Sequence, residues 1–141
     1  CGWFGYSDYK CTCSDSMVDR YQARISGALM DRFDILIQVE PVPFSVLTDT
    51  NSDGESSEAI ASRILNARGG QAIRGELNRD IGIDNIRKTL SADIRFLEKQ
   101  DMTSRSIINV LRVARTIADL DGSEKVWQKH VRKALSYRNA A

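Results

Sequence analysis

Three arginines and three cysteines are the side chains whose types and spacing could do chemistry here. Arg32 stands between Asp31 and Phe33-Asp34, after Ala28-Leu29-Met30 and before Ile35-Leu36-Ile37-Gln38-Val39. Ala, Leu and Met favour helix and the run that follows is apolar and largely β-branched. The local sequence therefore predicts a short helix, a polar corner and a strand. A guanidinium at such a corner presents a planar fork of donors suited to a phosphate or a carboxylate; paired with Asp31 or Asp34, it would simply tie the corner down. Arg105 follows Thr103-Ser104, in the first turn of a predicted helix, where a cation opposes the helix dipole. Residues that break a local rule are candidates for a site; the alternative is a surface arginine answered by Asp101 or Glu98. Arg112 lies seven positions on, on roughly the same side, with Arg115 offset from it. Either could line the same cleft or be solvated.

Cys1, Cys11 and Cys13 all fall within the first 13 residues. A disulfide framework wants an even number spread over the fold, so a metal site or free thiols fit this cluster better. Three thiolates and a water could hold zinc weakly in tetrahedral geometry, although the spacing departs from a regular Cys-x2-Cys knuckle. Trp3, Phe4, Tyr6 and Tyr9 lie among Gly2 and Gly5, as rings packed on the rest of a domain or as a stacking platform for bases. His130 is the only histidine; with no evident acidic neighbour to orient it, it reads as structural. Thr48 to Ser56 lacks the ligand spacing of a calcium loop. Neither a Gly-x4-Gly-Lys-Ser/Thr loop nor an apolar strand ending in Asp-Glu is present, so nothing here would cradle a triphosphate or its metal directly.

The elements that must position these groups are legible in outline. With 42% apolar and 28% charged residues over 141 positions, the composition is that of a globular domain. The formal net charge of +1 excludes a strongly basic nucleic-acid coat. No run approaches the roughly 18 apolar residues of a membrane span, and no leader is evident, so a cytoplasmic location without membrane partners is expected. Ser14 and Asp15 open a helix to about Ile25, with Arg20 and Arg24 on a face either solvated or turned to a nucleotide or neighbour. A strand over Ile35 to Glu40 ends at Pro41 and Pro43. A polar linker follows, and from Ser56 the pattern is helical. Gly69-Gly70 should end or kink the first of these helices. Short helices are expected from Asp84 and over Ser91 to Gln100. The strongest, capped by Thr103 and closed by Asp121-Gly122, runs to Leu120. The last opens at Ser123-Glu124, with Val126, Trp127, Val131, Ala134 and Leu135 as its apolar face.

Three blocks resemble one family. Ser26-Gly-Ala-Leu-Met-Asp-Arg-Phe-Asp34 looks like the "SGpLLDRiD/F" segment of AAA+ ATPases of the magnesium-chelatase-related, ComM/YifB-like group. Arg105 to Leu120 is similar to that group's "SaRa..riLrvARTIADL", and His130 to Arg138 to its closing "H..eAlqYR". Arg74 to Asn78 resembles its "RgrlNa" connection. The order is right over nearly the whole chain. Such proteins also carry a "NPCPCG…C.C" stretch, which would place a fourth cysteine just upstream of Cys1.

The resemblance implies a mainly α fold: a helical AAA+ lid preceded by the last corner and strand of an α/β core. Residues 1–42 would be the core remnant, 43–55 the linker and 56–141 the lid, together the C-terminal third of a longer protein that begins before Cys1. It implies that Arg32 is an arginine finger acting on a neighbouring subunit's nucleotide. Arg105 would be sensor 2, with Arg112 a weaker nucleotide contact. ATP and Mg would be the cofactors of the parent, which would form a homo-oligomeric ring and act on DNA, in branch migration during transformation or recombination. The chain alone, lacking P-loop and Walker B carboxylates, would not hydrolyse ATP. Two other classes remain: a helical protein-interaction module with no part in ATP hydrolysis, and a zinc-stabilised DNA-binding piece using the three cysteines with Arg20 and Arg24. Without its neighbours the strand would leave an apolar edge, so residues 1 to about 50 are expected to be partly disordered or packed on the lid or another chain.

Overall fold

A computed structural model describes residues 1–5, 11–40, 42–49, 54–91 and 93–138. The fold is mainly helical: α1 (Asp15–Gln22), α2 (Gly27–Met30), α3 (Phe44–Thr48), α4 (Ser57–Arg74), α5 (Ile83–Thr89), a 3-10 turn (Arg95–Lys99), α6 (Ser104–Leu120) and α7 (Gln128–Arg138). Among the described residues, no helix is long and apolar enough to cross a membrane.

The core is built around α6, whose Val110, Leu111, Ala114, Ile117 and Ala118 are buried. Helical spacing puts these five on one flank, where they meet Ile81 and Ile86 from the α5 side, Leu97 from the 3-10 turn, and Val126, Val131 and Ala134 from the last segment. Each buried branched aliphatic side chain contributes about 1.5–3 kcal/mol relative to exposure, so this one helix accounts for much of the domain. Its N-cap is Thr103, which accepts from the Ser106 N–H.

Helix α4 continues through Gly69-Gly70 to Arg74 and ends at Gly75, whose φ of 77° is the left-handed C-cap conformation that glycine supplies without strain. Two interior glycines cost about 1 kcal/mol each relative to alanine. The helix persists because Ala67 and Gln71 on either side of them are buried, Gln71 accepts from the Asn78 N–H, and Arg74 pairs with Asp119 on α6.

Other elements differ from expectation in instructive ways. Residues 91–100 form only one 3-10 turn, which suffices to insert Leu97. Helix α7 starts at Gln128, not Ser123, because the Ser123 and Glu124 carbonyls accept from Arg115. Val126 instead forms an isolated parallel bridge with Leu90. Trp127 stays about half exposed rather than joining the apolar face, while its N–H donates to His130 Nδ1 at 3.0 Å.

No strand forms over Ile35 to Glu40. A strand exists only by pairing its backbone in a ladder; here the Leu36 N–H donates to Tyr137 O at 2.8 Å, and no ladder forms among the described residues. Ile35, Ile37 and Val39 are exposed. Residues 31–36 are nonetheless packed on the lid, as one branch of the expectation held, and no sheet is formed among the described residues of the first 50.

Candidate functional site

The corner carrying Arg32 is fastened to the helical domain through its neighbour, Asp31. Arg138, at the end of α7, donates to Asp31 Oδ1 at 2.8 Å and to the Phe33 carbonyl at 2.7 Å. Ser106 Oγ donates to the same carboxylate, and Thr103 Oγ1 stands 3.1 Å from Asp31 Oδ2. Arg138 also reaches Ser106 Oγ at 2.6 Å. Three elements far apart in sequence thus close on one carboxylate: the turn after α2, the first turn of α6 and the last turn of α7. An anion there also lies at the positive end of α6, whose own first turn has no acidic residue.

This latch answers two expectations at once. Asp31 is not Arg32's partner; its carboxylate is engaged by Ser106, Thr103 and Arg138. Among the described residues the Arg32 side chain makes no ion pair or hydrogen bond, and it is exposed. Arg105 is likewise exposed and is answered neither by Asp101 nor by Glu98. The Asp31 charge, rather than a local acid, compensates the α6 N-terminus where Arg105 sits. Two of the three arginines singled out in the sequence therefore adjoin latch residues along the chain, Arg32 beside Asp31 and Arg105 beside Ser106, each with its guanidinium fork open. A cleft of about 270 Å³ runs along the same seam, lined in part by Met30, Asp31, Leu36, Met102 and Arg138.

Hydrogen bonding from Ser106 is the main reason the Asp31 carboxyl titrates below its ordinary value. Desolvation opposes the shift; Thr103, Arg138 and Arg105 add to it. A carboxyl depressed on folding stabilises the fold above its unfolded pKa, and that contribution is lost as pH falls through the folded value. The latch is therefore expected to be intact at neutral pH and to open below about pH 4. Asp31→Asn should flatten that acid limb of stability, and Arg138→Ala should loosen the corner at every pH, with amide exchange of residues 31–36 as the readout.

Arg112 is committed elsewhere: its Nε and a terminal nitrogen both donate to the Ile81 carbonyl at 3.2 Å. That contact holds the α4–α5 connection on α6. Arg115, which could have been solvated, is fully buried and bonded to Asp119 at 2.8 Å. Asp119 also takes Arg74 at 2.6 Å and Asn78 at 2.7 Å, so the "ARTIADL" block is chiefly a structural hub. His130 corrects another expectation: its Nε2 lies 3.2 Å from Asp121 Oδ2. Burial keeps the imidazole below its usual pKa, so at neutral pH Nδ1 accepts the N–H that opens α7. The role is structural, but an acidic neighbour does exist.

Sequence reasoning missed Ser106 and Arg138, both latch residues. The signal available was their place in matching blocks, at the start of α6 and the end of α7.

The three cysteines also come together. Their Sγ atoms all lie within 4.8 Å of one another, with Cys1 and Cys11 3.4 Å apart and unbridged. Among the described residues this is the one convergent group of three or more metal-ligating side chains.

Comparison with known proteins fits this geometry. The family described as "Magnesium chelatase, subunit ChlI C-terminal" matches residues 54–138, which hold α4 to α7 and three of the four latch residues. The chain belongs to that family. A second family description, "Magnesium chelatase, subunit ChlI", matches residues 1–47, which include Arg32 and the cysteines. The chain is 35% identical over 133 residues to the competence protein ComM of Haemophilus influenzae, covering 89% of this chain and 26% of that protein. It is 35% identical over 134 residues to YifB of Escherichia coli, with the same coverage, and 32% identical over 134 residues to YifB of Salmonella typhimurium, again 89% and 26%. It thus spans about a quarter of the length of these relatives. The mainly helical architecture of residues 56–138 is that of a lid domain of this family type.

Proposed function

We propose that this chain is the C-terminal part of a ComM-like AAA+ ATPase, and that it supplies arginines to ATP hydrolysis in a ring of like subunits. Residues 1–42 belong to the core, 43–55 are the linker and 56–141 the lid. The observation that carries the reading is the pair of exposed, open guanidinium forks, Arg32 next to the latched Asp31 and Arg105 next to Ser106, which bonds to that same carboxylate. Most other arginines are occupied: Arg63, Arg74, Arg87, Arg95, Arg115 and Arg138 in ion pairs, Arg112 on a carbonyl. An open fork is the donor set that phosphoryl oxygens take.

Arg32 acts as the finger, placing positive charge against the γ-phosphate bound by a neighbouring subunit. Arg105 reads the nucleotide from the lid as sensor 2. The sequence carries no P-loop, and no carboxylates converge on a metal position among the described residues. ATP and Mg are therefore held by segments outside this chain. Bound Mg would neutralise the phosphates there, while this chain's contribution is charge and orientation at the transferring group. The resemblance to ComM-like proteins, one of which is named a competence protein, motivates DNA as the substrate of the assembled ring, in branch migration. Arg112, fixed on Ile81, is at most a secondary contact.

The test is ATP hydrolysis and nucleotide affinity of the full-length protein with Arg105→Ala, with and without branched DNA. Turnover is expected to fall at least tenfold, with weaker nucleotide binding. Unchanged turnover and affinity would leave the second reading, a helical interaction module. That reading draws support from Ile64, Leu65 and Ile73, apolar residues of α4 exposed by 47%, 70% and 90%.

A further inference from the structure

The geometry points to a zinc site formed by Cys1, Cys11 and Cys13, independent of the nucleotide chemistry. Sulfurs on a tetrahedral zinc at about 2.3 Å stand about 3.8 Å apart. The three Sγ atoms here lie within 4.8 Å of one another, and the closest pair, Cys1 and Cys11, is separated by 3.4 Å. That separation is far beyond the S–S bond of about 2.05 Å, so these are thiols gathered without cross-linking. A small outward adjustment of one pair and an inward one of the third places all three at bonding distance from a common centre.

The chain is shaped for this meeting. Gly2 and Gly5 both have φ of 87°, the left-handed region open to glycine at little cost. Immediately after Cys13, Ser14 stands as N-cap and α1 begins, so Cys11 and Cys13 lead into the first turn of a helix. Cys11 and Cys13 are half-buried and Cys1 exposed, which leaves one side of the cluster open for a fourth ligand, a water or another thiolate. Soft thiolates select a thiophilic ion such as zinc over magnesium or calcium. Among the described residues no carboxylate shares the cluster. The role assigned is structural: the ion ties Cys1 to Cys11 and Cys13 just ahead of α1. Exposed Trp3 and Phe4 follow Cys1 directly.

The full 141-residue chain, reduced and stripped of metal, is titrated with zinc and separately with cobalt(II). One ion per chain is expected, with the cobalt form displaying sulfur-to-metal charge transfer and the intense visible bands of tetrahedral coordination. Cys11→Ser and Cys13→Ser should each weaken binding by roughly 100-fold or more. Both leave the helical domain untouched, since neither side chain joins its core, and unchanged far-UV circular dichroism checks this. In a Trp127→Phe background the emission of Trp3 should shift on metal addition in the otherwise unaltered chain and stay still in Cys11→Ser. The proposal is overturned by absence of stoichiometric uptake, by an octahedral cobalt spectrum without sulfur bands, or by uptake unchanged in both serine variants.

Discussion

ATP turnover by the full-length protein is expected to fall about 10³-fold or more when Arg32 is replaced by alanine, the lower end of what an arginine finger supplies in phosphoryl transfer. The size of the effect follows from where charge develops. A guanidinium that meets the γ-phosphate only as the bond breaks stabilises the transition state more than the bound nucleotide, so nucleotide affinity should be retained. The substitution also has little else to disturb. The side chain is exposed and unpartnered among the described residues, and such surface changes usually stay within about 0.5 kcal/mol of stability. Arg32→Lys separates charge from shape: an ammonium keeps the charge but loses the planar fork, so only partial recovery is expected. Mixing Arg32→Ala subunits with subunits whose P-loop is disabled should restore turnover at mixed interfaces, because finger and nucleotide would come from different chains. Full turnover by Arg32→Ala would reduce this residue to a solvated corner arginine and favour the interaction-module reading.

Asp119→Ala should produce the largest loss of stability in the chain, about 3–5 kcal/mol, the usual cost of removing one partner of a buried ion pair. Against a total of about 5–15 kcal/mol for a domain, that is enough to unfold a substantial fraction at ambient temperature. The reason is the company Asp119 keeps. Arg115 is completely buried and gives its remaining bonds to the Ser123 and Glu124 carbonyls; without Asp119 its charge has no counterion. Arg74 and Asn78 lose the same acceptor, so α4 loosens from α6 together with the connection between α4 and α5. Urea denaturation of the chain reads this directly. Glu55→Ala, which breaks an exposed pair with Arg63, is the control and should cost no more than about 1 kcal/mol. Burial by itself would raise the Asp119 pKa, but bonds from Arg74 and Asn78 and the charge of Arg115 outweigh it and hold the carboxyl below its ordinary value. Its contribution is thus complete above the unfolded pKa and disappears as pH falls through the folded one. Acid unfolding of the otherwise unaltered chain should steepen below about pH 4, and Asp119→Asn should blunt that dependence.

Both predictions rest on residues within the matching blocks, yet the structure gives those blocks different meanings. "DRFD" contains one open arginine and one latched aspartate. "ARTIADL" contains a buried ion pair where the sequence allowed a solvated or cleft-lining arginine. Composition and spacing do not distinguish these cases, because an arginine on a helix face looks the same whether solvent or a carbonyl lies opposite.

The sequence by itself determined that residues 56–138 are mainly helical and which flank of α6 faces the core. Apolar residues on one flank of α6 and a threonine cap before it are local signals, and local signals survive in any context that allows a core. It also determined the family, through three ordered blocks, and the clustering of its cysteines. Tertiary structure decided the rest. It carried α4 through two glycines because Arg74 pairs with Asp119 on α6 and Gln71 accepts from the Asn78 N–H beyond the helix end. It delayed α7 because Arg115 captures the carbonyls that would have begun it. It left Ile35 to Val39 without a ladder, since a strand cannot satisfy its backbone alone. And it turned Asp31 away from Arg32 toward Ser106, Thr103 and Arg138, residues 72 to 107 positions distant. Hydrogen bonds and ion pairs of that span depend on which surfaces meet, a property of the packed chain and not of any window along it.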